Sequence, residues 1–145
     1  REAIGAGLSS LLADSYSLFL MTHNFHWNVV GPQFRSLHIM FEEQYTELFT
    51  GVDEIAERIR SLGLLAPGTF KKFESLASFS IPEEVMSASE MLVALVQAQE
   101  AVVRTARGVL PVADEANDQP TLDLLTRRME IHEKNAWMLR AMTQG

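Results

Sequence analysis

The sequence predicts an all-helical chain folded as an antiparallel four-helix bundle, with one short extra helix between the second and third long ones. Apolar residues recur every three or four positions over four long stretches, as a helix with one buried face requires. No period-two alternation competes with that pattern. Glycine and proline breaks separate the stretches. At 145 residues, the chain is read as a single domain spanning 1–145, burying about two-thirds of its unfolded surface.

The first helix is expected over about residues 3–30, with Ile4, Leu8, Leu11, Leu12, Leu18 and Phe19 at helical spacing. Gly31-Pro32 ends it, because glycine frees the backbone and proline cannot continue the hydrogen-bond ladder. The second runs from about Gln33 to Leu62 along the stripe Leu37, Phe41, Leu48, Val52, Ile55, Ile59 and Leu62, with Gln44 as the one polar interruption. A segment punctuated by Gly63, Pro67, Gly68 and Pro82 follows, in which Thr69 caps a short helix over Phe70 to Leu76. Ser87 and Glu90 match a capping box that opens the third long helix, carrying Leu92, Leu95, Val102, Ala106 and Val109. Pro111 is expected to kink or stop it. The turn-like run "ADEANDQPT" precedes a fourth helix, with Pro120 in its first turn and Leu122, Leu125, Met129, Ala136 and Leu139 buried.

Composition narrows the function. The absence of cysteine excludes disulfides and thiolate metal sites and gives a default reading of cytoplasmic. A net charge of −7, with no basic run longer than two residues, argues against a surface that grips phosphates. No apolar run is read as approaching the roughly 18 residues a membrane span needs. The N-terminal stretch carries Asp14 and is unlike a signal peptide; opening on Arg1, it suggests that residues precede it.

Two of the four histidines, His23 and His26, lie three apart in "MTHNFHWNVVGPQF". His26 precedes Gly31 by five residues and His38 follows Pro32 by six. In a tight helical hairpin both then sit roughly 8–9 Å from the turn, so their imidazoles can converge as a start on an iron, zinc or copper site. Asp53 and Glu57, four apart in "VDEIAERI", share one helical face. Asp53 lies 15 residues beyond His38, about 22 Å along the same helix, so one ion cannot touch both within one chain. Either the pairs are separate features or a site is shared between subunits about a two-fold axis.

Taken singly, each residue has a plainer reading. Asp53 and Glu57 read as a solvated face, His26 as a hydrogen-bonded residue near a helix end, and Trp27 as packing. His132, on the apolar stripe of the last helix, reads as a satisfied core histidine, and His23 as exposed or supporting. No glutamate is followed by histidine three residues later, so an intrachain di-iron site of the Glu-x-x-His design is not expected.

The segment "HNFHWNVVGPQFRSLHIMFEEQYTELFTGVDEIAERIRSLG", residues 23–63, closely resembles the Dps family of miniferritins. The resemblance continues through "DQPTLDLLTRRMEIHEKNAWMLRA", so it covers essentially the whole chain. It implies a ferritin-like bundle assembled as a hollow homododecamer with ferroxidase sites at two-fold interfaces. By motif, His26 and His38 of one subunit and Asp53 and Glu57 of its neighbour would hold two irons, with Glu57 bridging. The implied chemistry is oxidation of ferrous iron, preferably by hydrogen peroxide, and storage of ferric oxide, protecting against oxidative damage. Trp27 would be placed to take a stray oxidising equivalent, with His23 beside it.

Glu43, Glu47 and Glu54 fall within about 40° on a helical projection and would nucleate mineral if they face the cavity. Asp118 and Asp123, at the start of the last helix, are candidates for an acidic pore, though ordinary helix-start acids fit equally well. Some relatives bind DNA through lysine-rich tails; this chain carries none and is not expected to bind the duplex. The alternatives are a nucleoid-compacting structural protein with a secondary metal site, and a shell whose two-fold site holds zinc without turnover.

Overall fold

The computed structural model describes residues 1–144 and contains five helices, with no strand among the described residues: α1 (Glu2–Asn28), α2 (Phe34–Ser61), α3 (Phe70–Leu76), α4 (Ala88–Glu115) and α5 (Gln119–Ala141). α1 packs on α2 and α4, and α4 on α5, while α2 meets α5 along a narrower seam. The bundle is therefore two helical hairpins laid together, with α3 and its flanking loops crossing over α1 between them.

The punctuation acts as expected. Gly31 and Gly63 end α1 and α2 in left-handed conformations, with φ of 116° and 86°, which cost a residue with a Cβ more than glycine. Thr69 accepts the Lys72 N–H at 3.2 Å, capping α3. Ser87 and Glu90 form the reciprocal capping box. Asp118 caps α5, and Pro120 occupies its first turn, where a missing N–H costs nothing.

Two expectations need correction. α4 runs through Pro111 and ends only at Glu115, so the proline does not stop the helix. Arg107, whose carbonyl loses its usual partner there, is exposed, and water can replace the lost bond. Secondly, α1 is long and apolar enough by length and composition to cross a membrane, with a mean hydropathy of 1.3 over its most apolar window. The reading that no such run exists is therefore wrong. Packing accounts for the apolarity: Ile4, Leu8, Leu11, Leu12, Leu18, Met21 and Phe25 all lie in the shared core.

Every expected core position on α4 is buried, and on α2 Leu37, Phe41, Leu48, Ile55 and Ile59 are buried while Val52 and Leu62 are partly so. On α5 the buried face is broader than its leucines suggest, because Arg128, His132 and Asn135 join it. Leu122 and Met129 are only partly buried against the core.

Polar groups inside the bundle are paired across helices. The His132 Nδ1–H donates to Gln99 Oε1 at 2.7 Å, and Nε2 accepts from Arg128 Nη2 at 3.1 Å. Burial, reinforced by the neighbouring Arg128 charge, pushes His132 down to about 3, so this satisfied core histidine stays neutral. Arg128 donates onward to both oxygens of Glu47, at 2.5 and 3.1 Å. The fully buried Asp14 accepts from the Ser78 N–H at 2.6 Å, the Ser78 hydroxyl at 2.8 Å and the Thr105 hydroxyl at 2.6 Å. One carboxylate thus ties α1, α4 and the crossover together.

Candidate metal centre

The α1–α2 hairpin sets the register of the centre. With α1 ending at Asn28 and α2 starting at Phe34, His26 and His38 sit about a turn inside facing helix ends. Their imidazoles stack at 3.7 Å between centroids, 11° from parallel. The ring hydrogen bonds are reciprocal: His26 Nδ1 lies 2.7 Å from the His38 carbonyl, and His38 Nδ1 lies 2.7 Å from the His26 carbonyl. A carbonyl only accepts, so both Nδ1 atoms carry the proton. In the neutral ring this arrangement leaves Nε2 as the lone-pair nitrogen, the form in which histidine binds a metal ion. Phe34 stacks on His38 at 4.9 Å, continuing the column of rings.

Glu42 completes this end of the centre. Ligand atoms of His26, His38 and Glu42 lie within 4.8 Å of one another. His26 is buried, His38 intermediate and Glu42 exposed, so the group opens outward from the bundle. Sequence reasoning passed over Glu42, although its spacing of four from His38 places it on the same helical face. Two imidazoles and a carboxylate suit a borderline divalent ion such as ferrous iron or zinc, and leave coordination positions for further ligands.

Asp53 and Glu57 do not join this cluster. Both are exposed on the far half of α2, and neither forms an ion pair among the described residues. Within the single chain the two groups are thus separate: His26 of α1 clusters with His38 and Glu42 near the start of α2, and Asp53 and Glu57 lie on the far half of α2.

Trp27 is not a packing residue within this chain; it is 58% exposed. Successive helical residues diverge by about 100°, so the side chain next to His26 in sequence points elsewhere. Its ring meets His23 at 4.0 Å, and His23 in turn meets Tyr45 at 4.4 Å. Tyr45 stands edge-on to His26 at 5.2 Å.

The acidic strip on α2 is largely committed to α5. Glu47 holds the buried Arg128, Glu54 pairs with Arg127 at 3.1 Å, and Glu43 has no ion pair among the described residues. Asp118 accepts from the Thr121 hydroxyl and N–H and from Arg58. Burial pushes its carboxyl up, but those hydrogen bonds and the Arg58 charge outweigh this and hold it below the usual carboxylate value. Asp123 pairs with Arg127 at 3.0 Å.

Residues 5–145 match the ferritin-like domain family. The chain is 40% identical over 134 residues to DNA protection during starvation protein 2 of Bacillus anthracis, covering 92% of each protein. The chain belongs to the Dps family. Among solved Dps structures, that of Bacillus brevis superposes with a TM-score of 0.95 at 36% identity, covering 99% of this chain and 96% of that one. Dps of Vibrio cholerae, described as a member of a broad superfamily of ferritin-like diiron-carboxylate proteins, superposes at 0.94 with 29% identity, covering 99% and 90%.

Proposed function

We infer that this Dps chain oxidises ferrous iron and stores the ferric product, with sites shared between subunits of a hollow cytoplasmic shell. The observation that carries the reading is the imidazole pair: both Nδ1 protons are committed to backbone carbonyls, leaving both Nε2 atoms free beside Glu42. Asp53 and Glu57 of a second copy, brought up by a two-fold contact, would complete the set, since a self-complementary interface presents the same patch twice. His26 and His38 would each hold one ion, Glu42 would add a carboxylate beside them, and Glu57 from the second copy would bridge.

Iron is the substrate. Two ferrous ions give one electron each to hydrogen peroxide, which takes up two protons and leaves as two waters. Neutral imidazoles suit the ferrous ion; the carboxylates favour the harder ferric product. Of the nucleation candidates, Glu43 is the one free to meet mineral without displacing an arginine. Asp118 and Asp123 would serve an entry path only in competition with Thr121, Arg58 and Arg127. The assembly follows the family pattern of twelve subunits, and the chain's charge of −7 disfavours DNA as a partner.

The test is anaerobic loading with ferrous iron followed by substoichiometric hydrogen peroxide, monitored by ferric absorbance. Rapid oxidation near two irons per peroxide, lost in a His38→Ala/Asp53→Ala double variant, is the expected result. Oxidation no faster than in buffer would sink the ferroxidase reading and favour a zinc-holding shell.

A further inference from the structure

We propose that Glu47 and His132 form a second, intrachain site for a divalent transition-metal ion, and that the Arg128 guanidinium fills it as a built-in cation. Arg128 thereby keeps metal out of the bundle interior and leaves it to the histidine pair of the α1–α2 hairpin. The proposal does not depend on ferroxidase turnover and is read by metal binding alone.

The ligand atoms are already arranged for a cation. Arg128 Nη2 lies 3.1 Å from Glu47 Oε1 and 3.1 Å from His132 Nε2. A carboxylate of α2 and an imidazole of α5 thus converge on one point, and facing helices of a bundle build core metal sites from these two side-chain types. A guanidinium only donates, so His132 Nε2 carries the lone pair and the ring proton sits on Nδ1, 2.7 Å from Gln99 Oε1. This is the orientation of a metal-ligating histidine, whose other ring N–H is held by a neighbouring oxygen. Gln99 presents Oε1 to the ring while its own buried Nε2 has no partner among the described residues. The amide is turned to suit the imidazole. Burial and the Arg128 charge also hold His132 down at about 3, which keeps the lone pair available at neutral pH.

Room and access are present as well. Gly51 leaves the space that the guanidinium fills, since a Cβ there would come within 2.4–2.8 Å of Nη1, Cζ and Nη2. The Arg128 side chain is 1% exposed and that of Glu47 is 37% exposed, so the carboxylate marks the mouth of the site on the α2–α5 seam. An ion at the Nη2 position would draw each ligand atom inward by about 1 Å to reach the roughly 2.0–2.2 Å of a zinc bond. Water arriving past Glu47 would complete the coordination. The next arginine, Arg127, is engaged elsewhere, by Glu54 and Asp123, so removing Arg128 alone frees the pair. With Arg128 in place, an incoming ion would have to expel a buried guanidinium of its own sign.

The experiment titrates cobalt(II) into the full assembly carrying His38→Ala and Asp53→Ala, which silence the hairpin centre, and follows the visible ligand-field bands. With Arg128 in place, no bands that respond to Glu47→Gln are expected. Adding Arg128→Ala should give about one further cobalt per chain, bands that zinc(II) removes by competition, and a melting temperature that rises with cobalt concentration. In that variant Glu47→Gln or His132→Gln should abolish the bands. Gln99→Ala should weaken cobalt binding about 10–100-fold by releasing the ring N–H, an effect that a merely structural glutamine would not produce. Arg128→Gln, which keeps an amide donor for Glu47, is the second variant should Arg128→Ala not fold, and it should bind cobalt in the same way. Two results overturn the proposal: no cobalt bands in either Arg128 variant, or Glu47-dependent bands with Arg128 still present.

Discussion

Gly51→Ala is the sharpest test of how the polar core is built. Helix propensity alone predicts a gain, since alanine in a helix interior is favoured over glycine by about 1 kcal/mol. The tertiary structure predicts the opposite. A Cβ at Gly51 would lie 2.4, 2.5 and 2.8 Å from Nη1, Cζ and Nη2 of Arg128. An arginine tip can often move aside, but this one is 1% exposed and fixed on both sides, by Glu47 and by His132. Displacing it strains or breaks those bonds, at about 3 kcal/mol for a buried charge losing its partner. Offsetting the propensity gain leaves a net loss of about 2 kcal/mol, or roughly 4–8 °C in melting temperature for a domain of this size. Denaturant unfolding of parent and variant, with the assembly state held constant, measures it. A Gly51→Ala variant as stable as the parent, or more so, would refute the argument that the guanidinium is locked in place.

Further outcomes follow from the same contacts. Asp14→Ala leaves the Ser78 and Thr105 donors without their carboxylate and should cost about 2–4 kcal/mol; faster amide exchange at Ser78 would report release of the crossover, and unchanged exchange would contradict it. His132 is neutral in the fold, with its folded value pushed down to about 3, whereas the unfolded chain takes up that proton below about pH 6.5. Its contribution is therefore intact above pH 6.5 and lost as pH falls toward 3, by up to about 1.4 kcal/mol per pH unit. His132→Gln should flatten the dependence of the urea midpoint between pH 6.5 and 5, and an unaltered slope would count against this assignment. Glu42→Gln should remove one of two ferrous ions per site in a binding titration; unchanged stoichiometry would exclude Glu42 from the ligand set.

The helices were legible in the sequence because their signals are local. The Thr69 cap, the Ser87–Glu90 box and the 3.6-residue stripes depend on neighbours a few positions away. The convergence of His26 and His38 was legible for a related reason, since a tight hairpin leaves little freedom in register. The continuation of α4 past Pro111 was not legible. It depends on whether one orphaned carbonyl faces solvent, which the proline itself does not reveal.

By itself, the sequence determined the five helices, the apolar core stripes and the facing positions of His26 and His38, because helical periodicity and turn length are short-range constraints. Tertiary structure decided which polar residues of those helices are free to act. Glu47 and Glu54 lie on one strip with Glu43, yet both are committed to arginines of α5. Trp27 adjoins His26 in sequence, whereas Tyr45 meets the His26 ring in space. Such pairings join residues tens of positions apart, and only the packing of one helix against another sets the distances that make them.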